Sequence, residues 1–370
     1  MKVRTFGRMA AAGFGAVVAL VAVATPAAAD PIPANEYRVI AGAGSDTTQD
    51  VLNGLGNVIR DAGNNKIIAS WDARDPGGVV PAPKIKTKAA NCTFTRPNGS
   101  GAGRTALRAS EGETGGLFQG DNVVGCVDFA RSSSFSQTSP TTTGNLTYIP
   151  FGVDAVTYAK NVDSDLPNNL TFVQLQRIYR CLTPAVSGTP VSPMLLQSGS
   201  GTRQFWLQKM GITENDIAAG DYPCIDQGTG TGYQEHDGTV LNGKFNSIVP
   251  FSVGQYVAQT NTATILAQTQ VQVDDRRGPS RLGAVNGLQP VVGGKLNIAF
   301  RAELVRDVYN VVPTADLLAG STLERVFSGP TSLVCQNAAT IELFGFGVRT
   351  TNGATLFQGA CGSTALKNNA

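Results

Sequence analysis

Histidine is almost missing from this chain: 370 residues include one, His236. No C-x-x-C pair accompanies it, so a Cys/His zinc site has no ligand set. Histidine-based acid–base chemistry has a single candidate. Charge is also scarce, at 15% of residues, and nearly balanced, with 29 Lys and Arg against 27 Asp and Glu. That balance gives no basic face for nucleic acid. After the N-terminal segment there is no second long apolar run, which argues against a membrane span in the body of the chain. No repeat or low-complexity tract interrupts it.

What is present begins with a leader. Lys2, Arg4 and Arg8 precede the apolar run "AAAGFGAVVALVAVA", and "TPAAAD" offers a cut after Ala29. Residues 1–29 are therefore expected to be a signal peptide. No cysteine sits at the cut, so no lipid anchor is expected, and the mature chain is read as secreted or extracytoplasmic. Export makes the six cysteines readable as disulfides. Nearness in sequence pairs Cys92 with Cys126, Cys181 with Cys224 and Cys335 with Cys361. A mature chain of roughly 340 residues exceeds one typical core and suggests two domains. The 43 glycines, with so little charge, fit a loop-rich α/β protein better than a helical bundle.

Strand-like and helix-like segments alternate. "YRVIAGAGSDTTQDVLNGLGNVI" reads as a strand, a hydroxylated turn and a helix with Val51, Leu52, Leu55, Val58 and Ile59 as its apolar stripe. Residues 70–104 form a Gly/Pro/Lys-rich excursion, and "TFVQLQRIYRCL" is a helix. "LTYIPFGVDAVTYAK" is two β-like segments, "SIVPFSVGQYVAQ" a strand and turn, and "RDVYNVVP" later strand material. The alternation predicts α/β layers.

The stretch "SGSGTRQFW" (198–206) carries the sharpest question. Arg203, Phe205, Trp206, Leu207 and Met210 fall at helical spacing, so the Gly/Ser/Thr loop feeds a helix N-terminus. Such a loop is either an ordinary N-cap or an anion site built from unpaired backbone N–H groups. Three further turns share its character: "GSDTT" (44–48), "NGSGAG" (98–103) and "ARSSS" (130–134). Open α/β sheets bind ligands beyond the carboxyl ends of their strands. Turns so rich in donors and so poor in acceptors suit an oxyanion.

The ordered set "AGAGSDTT", "NGSGAG", "VDFARSSS", "PFGVDAVTYA", "SGSGT" and "PFSVGQYV" resembles the phosphate-binding proteins of ABC transporters, a branch of the type II periplasmic binding proteins. The resemblance spans the mature chain, with 70–97 and 225–245 fitting poorly. It implies a two-lobe α/β fold with the ligand cleft between lobes, lobe one from 30–150 and 258–370 and lobe two from 151–257. Chain crossings are implied near Pro150–Ala155 and Pro250–Tyr256. The implied ligand contacts are Ser45, Asp46, Thr47, Ser100, Gly101, Ser200, Gly201 and Thr202, joined by Arg131, Ser132 and Ser133 of the third turn. Two positions depart from the pattern: Ser133 stands where the family has an Asp that accepts the phosphate proton, and Leu196 where it has an Arg. Arg131 or Arg203 is expected to supply the cation and Asp46 the acceptor, each also readable as a surface charge or cap.

The expected function is capture of a small oxyanion, phosphate first, by a monomer that hands it to an ABC transporter permease, without cofactor, metal or catalysis. Two alternatives stay open: a secreted interaction or adhesion module on the same fold without anion binding, and a phosphate-ester hydrolase using Ser200 or His236. "YQEHDGTV" reads as a solvated loop around His236, and the arginines of "DDRRGPSR" as a solvated face or a cationic rim that steers anions.

Overall fold

The structure, a computed structural model, describes residues 30–31, 36–80, 82–135, 141–229, 232–349 and 360–369. The leader assigned to 1–29 lies outside the described residues. No helix among the described residues is long and apolar enough to cross a membrane.

The first strand, Ile40–Gly44 (β1), runs buried into a turn and then into the helix Gln49–Val58 (α1). Val51, Leu52 and Leu55 of the expected stripe are fully buried against the sheet. Ile68–Ser70 (β2), Ser100–Ser110 (α2) and Phe129–Ser132 (β3) follow. The next strand, Leu146–Asn161 (β4), is one continuous element of 16 residues where two short β segments were expected. Gly152 and Asp154 fall within it without breaking it, because its β-branched and aromatic residues suit a buried strand. Pro150 has no N–H to give the ladder, and the pairing slips beside it.

Beyond β4 come Phe172–Tyr179 (α3), Ser192–Pro193 (β5), Gly201–Met210 (α4) and Ser247–Ser252 (β6). Val253–Thr260 (α5), Ser280–Leu282 (β7) and Val305–Pro313 (β8) complete the framework. One sheet path runs β5-β6-β4-β8-β3-β1-β2. β1 is parallel to β2 and β3, while β8 is antiparallel to both β3 and β4.

β4 holds the two halves together. Residues Leu146 to Ala155 pair with β8, whereas Val156 to Lys160 pair with β6. The first half is a helix–sheet–helix sandwich. Ile40, Phe129, Val308 and Val312 face α1 on one side, and Ala43, Ala130, Tyr309 and Val311 face α2 on the other. The second half has its own core, where Leu175, Ile178 and Tyr179 of α3 meet Phe205, Trp206 and Met210 of α4. Trp206 is fully buried, its ring edge-on to Tyr179 at 5.4 Å. The two cores define two lobes. Residues 258–273 return to the first core, but Leu282, Val285, Leu296, Phe300 and Leu304 pack in the second. The segment 280–304, assigned to lobe one from sequence, thus belongs to the second core because β7 pairs with the far end of β4.

All three expected disulfides form: Cys92–Cys126, Cys181–Cys224 and Cys335–Cys361. Cys181–Cys224 spans 43 residues and ties the end of α3 to the segment after α4. Replacing both cysteines with serine is expected to cost about 4 kcal/mol through the loop entropy regained by the unfolded chain. Denaturant unfolding of the oxidised wild type against the double variant measures it, and an unchanged midpoint contradicts it.

Candidate functional site

Three of the four hydroxylated turns open helices, at the N-termini of α1, α2 and α4, and the fourth follows β3. The fold brings them together between the lobes. The Gly101 N–H donates to Gly199 O at 3.1 Å, a backbone contact from one lobe to the other. Glycine is required here by space: a Cβ on Gly99 would stand 2.6 Å from Gly199 O, and one on Gly201 would stand 2.3 Å from Ser100 Oγ. Gly99 also sits at φ +107, a conformation that side chains rarely adopt. The glycines of "SGSGT" let two lobes touch.

Around that contact the hydroxyls converge. Thr47 Oγ1 lies 3.1 Å from Ser133 Oγ and 3.2 Å from Thr202 Oγ1, so the two lobes meet through these groups. Ser100 Oγ accepts from the Ser133 N–H at 3.0 Å. Ser45, Thr47, Ser100, Ser133 and Thr202 are all fully buried. Ser200 performs the capping role, its Oγ accepting from the Arg203 N–H at 2.9 Å. Ser132 is turned to its own lobe, bonded to Arg104 and the Ser134 carbonyl.

The cations do not stand where expected. Arg131 is buried, but its guanidinium donates to the Ser45 and Gly44 carbonyls and to Ser70 Oγ, bracing the first turn from behind. Burial lowers it to about 10. Arg203 forms a two-pronged pair with Glu214 and bonds the Leu196 carbonyl. The cation in the cluster is Arg306 of β8. Its Nη2 donates to Asp154 Oδ2 at 2.8 Å, to Thr202 Oγ1 at 2.9 Å and toward Thr47 Oγ1 at 3.4 Å. A charged pair, Arg306–Asp307, inside an apolar strand was the sequence signal for it.

Asp46 is neither a helix cap nor a free acceptor. Its Oδ1 pairs with Arg276 Nη2 at 3.2 Å and its Oδ2 accepts from Gln234 Nε2 at 2.7 Å. Burial pushes its carboxyl up, but the charges of Arg276, His236 and Arg74 outweigh this and hold it below the usual carboxylate range. Arg276, expected on a solvated face, is thus buried.

His236 is corrected in the same way. The segment 232–238, expected in solvent, folds into the cleft and leaves Glu235 and His236 fully buried. Polar contacts hold it: Gln259 Nε2 donates to the His236 carbonyl, Arg276 Nη1 to the Glu235 carbonyl, and the Gln197 N–H to the Tyr233 carbonyl. The imidazole lies edge-on to Phe251 at 5.6 Å. Glu235 Oε2 receives three partners, Thr202 Oγ1 at 2.8 Å, Thr47 Oγ1 at 3.1 Å and His236 Nε2 at 3.1 Å. Burial pushes the Glu235 carboxyl up, yet the hydrogen bond and charge of His236 bring it below its ordinary value, so it is ionised. An oxyanion therefore sits among the hydroxyls, and it is the chain's own.

Among known sequences no family model matches, and no curated protein matches. Solved structures do. A candidate phosphate ABC transporter substrate-binding protein from Clostridium perfringens, with bound phosphate, superimposes with TM-score 0.50 at 13% identity, over 84% of this chain and 99% of that one. The fold is shared with that protein. An ABC-type phosphate transport receptor from Vibrio cholerae is also similar, at TM-score 0.49 and 15% identity over 84% and 99%. A phosphate-binding protein from Stenotrophomonas maltophilia follows at TM-score 0.46 and 12% identity over 84% and 91%.

Behind the cleft lies a cavity of about 240 Å³ lined by Asp50, Asp72, Arg74 and Asp274. Burial pushes the Asp50 carboxyl up to about 6, against the Gln255 hydrogen bond and the Arg276 charge. The folded pKa lies above the unfolded one, so the fold holds this proton more tightly than the unfolded chain. That contribution is complete below the unfolded carboxylate range and is lost as pH rises through about 6. Asp50→Asn keeps an acceptor for Gln255 and removes the titration. Relative to wild type it is expected to gain on the order of 1–3 kcal/mol between acid and neutral pH. Thermal melts across that range test this, and a pH-independent difference contradicts it.

Proposed function

We propose that this protein is an extracytoplasmic substrate-binding protein that captures a small oxyanion, phosphate, between its lobes for an ABC transporter. The observation that carries the reading is the buried, ionised Glu235 held by Thr47, Thr202 and His236, with Arg306 bonded to the same hydroxyls. These groups sit at the mouths of three helices whose first N–H groups and dipoles favour negative charge. Donor surplus adds support: Ser45 Oγ and Arg306 Nη1 are buried without a hydrogen-bond partner. A tetrahedral anion brings more acceptors than a carboxylate does.

The hydrolase alternative fits the geometry poorly. Ser200 Oγ is engaged as a cap, and the buried His236 Nδ1 has no group to orient the ring as a general base requires. The positions named for the ligand are Ser45, Thr47, Ser100, Ser133, Thr202 and Arg306.

Calorimetric titration of ligand-stripped protein with phosphate, sulfate and a phosphate monoester tests the reading. One phosphate per chain and an intact ester are expected. Thr202→Val, which removes a hydroxyl that faces the anion, is expected to weaken phosphate by about tenfold, the worth of one buried charge-assisted bond. Ester hydrolysis, or equal affinity in wild type and variant, contradicts it.

A further inference from the structure

We propose that Glu235 is a tethered ligand: its carboxylate takes the oxyanion position between the lobes, and a free anion enters by displacing it. This rests on the oxyanion reading of the cleft given above. The carboxylate bridges the lobes as a bound anion would, accepting from Thr47 on one side and Thr202 on the other. It does so incompletely. Oε2 collects every donor, while Oε1 is buried with none. An occupant that satisfies half of its own acceptors, and leaves neighbouring donors unpaired, closes the cleft yet is replaceable by an anion that uses more of them.

Charge argues for exchange over co-occupancy. The cleft pairs Arg306 with Asp154 and Arg276 with Asp46, so both arginines already have carboxylate partners, and Glu235 is held by Thr47, Thr202 and His236. A second anion beside Glu235 would set two like charges together in a buried site, where their repulsion is little screened. Swapping one anion for the other keeps the balance. The segment is also built under strain. His236 lies at φ +55, in the left-handed region that a non-glycine residue seldom takes. Gly232 and Gly238 bracket the turn where a Cβ would stand 2.3 Å from the Leu196 carbonyl and 2.0 Å from the Arg277 carbonyl.

Titration of the full chain with inorganic phosphate, for wild type, Glu235→Ala and Glu235→Gln, separates the outcomes. Removing the tethered charge is expected to tighten phosphate on the order of tenfold to a hundredfold in Glu235→Ala. Glu235→Gln, which keeps shape without charge, is expected to fall between it and wild type, and it serves if the alanine variant folds poorly. Acetate, the free counterpart of the side chain, is expected to raise the melting temperature of Glu235→Ala and leave that of wild type unchanged. Phosphate affinity equal to or below wild type in both variants overturns the tethered ligand and leaves the oxyanion site standing. Absence of phosphate binding in all three proteins overturns both.

Discussion

Two glycine-rich turns from opposite lobes meet through their backbones, and the character of the cleft follows from that distance. With Gly101 N and Gly199 O at 3.1 Å, there is no room for side chains at Gly99 or Gly201. The hydroxyls flanking these glycines are then forced within hydrogen-bond reach of one another and out of water. Groups placed in such a site must find partners, because a buried polar atom left alone costs more than a formed bond gains. The cluster of Thr47, Ser133 and Thr202 is the consequence of that approach.

The same dryness governs the charges. Both arginines in the cleft have a carboxylate within hydrogen-bond distance, Arg306 with Asp154 and Arg276 with Asp46. Arg276 reaches in from the segment after α5, so it ties the first turn to the part of the chain that carries Gln234, Glu235 and His236. Electrostatic and backbone restraints therefore converge on one short segment. Glu235 lies at their intersection, and the shape of the closed cleft depends on what occupies its place.

Much of the fold was legible in the sequence because it rests on local rules. The apolar stripe of α1, the helical spacing after Ser200 and the strand runs before each turn reflect periodicity, and the near-neighbour cysteines pair as expected. The hydroxylated turns were legible for the same reason, since strand–turn–helix junctions announce themselves. The charges were not. Arg131 and Arg203 looked available by position, but Ser70 and the Ser45 carbonyl engage the first and Glu214 of the following helix the second. His236 and Arg276 lie in polar, loop-like stretches, where nothing local distinguishes a buried residue from a solvated one. Their burial depends on contacts across 188 and 230 residues, made by Gln234 and Arg276 to Asp46. The return of 280–304 to the second core is also nonlocal, fixed by pairing at the far end of a strand whose length was not anticipated.

Hydrogen–deuterium exchange with and without phosphate tests the central claim, that the cleft is an oxyanion site occupied by Glu235 until a free anion replaces it. The account predicts that phosphate increases protection in the first turns of α1, α2 and α4 and decreases it across residues 233–237. Protection that rises or stays constant across 233–237 while the helix N-termini become protected would contradict it.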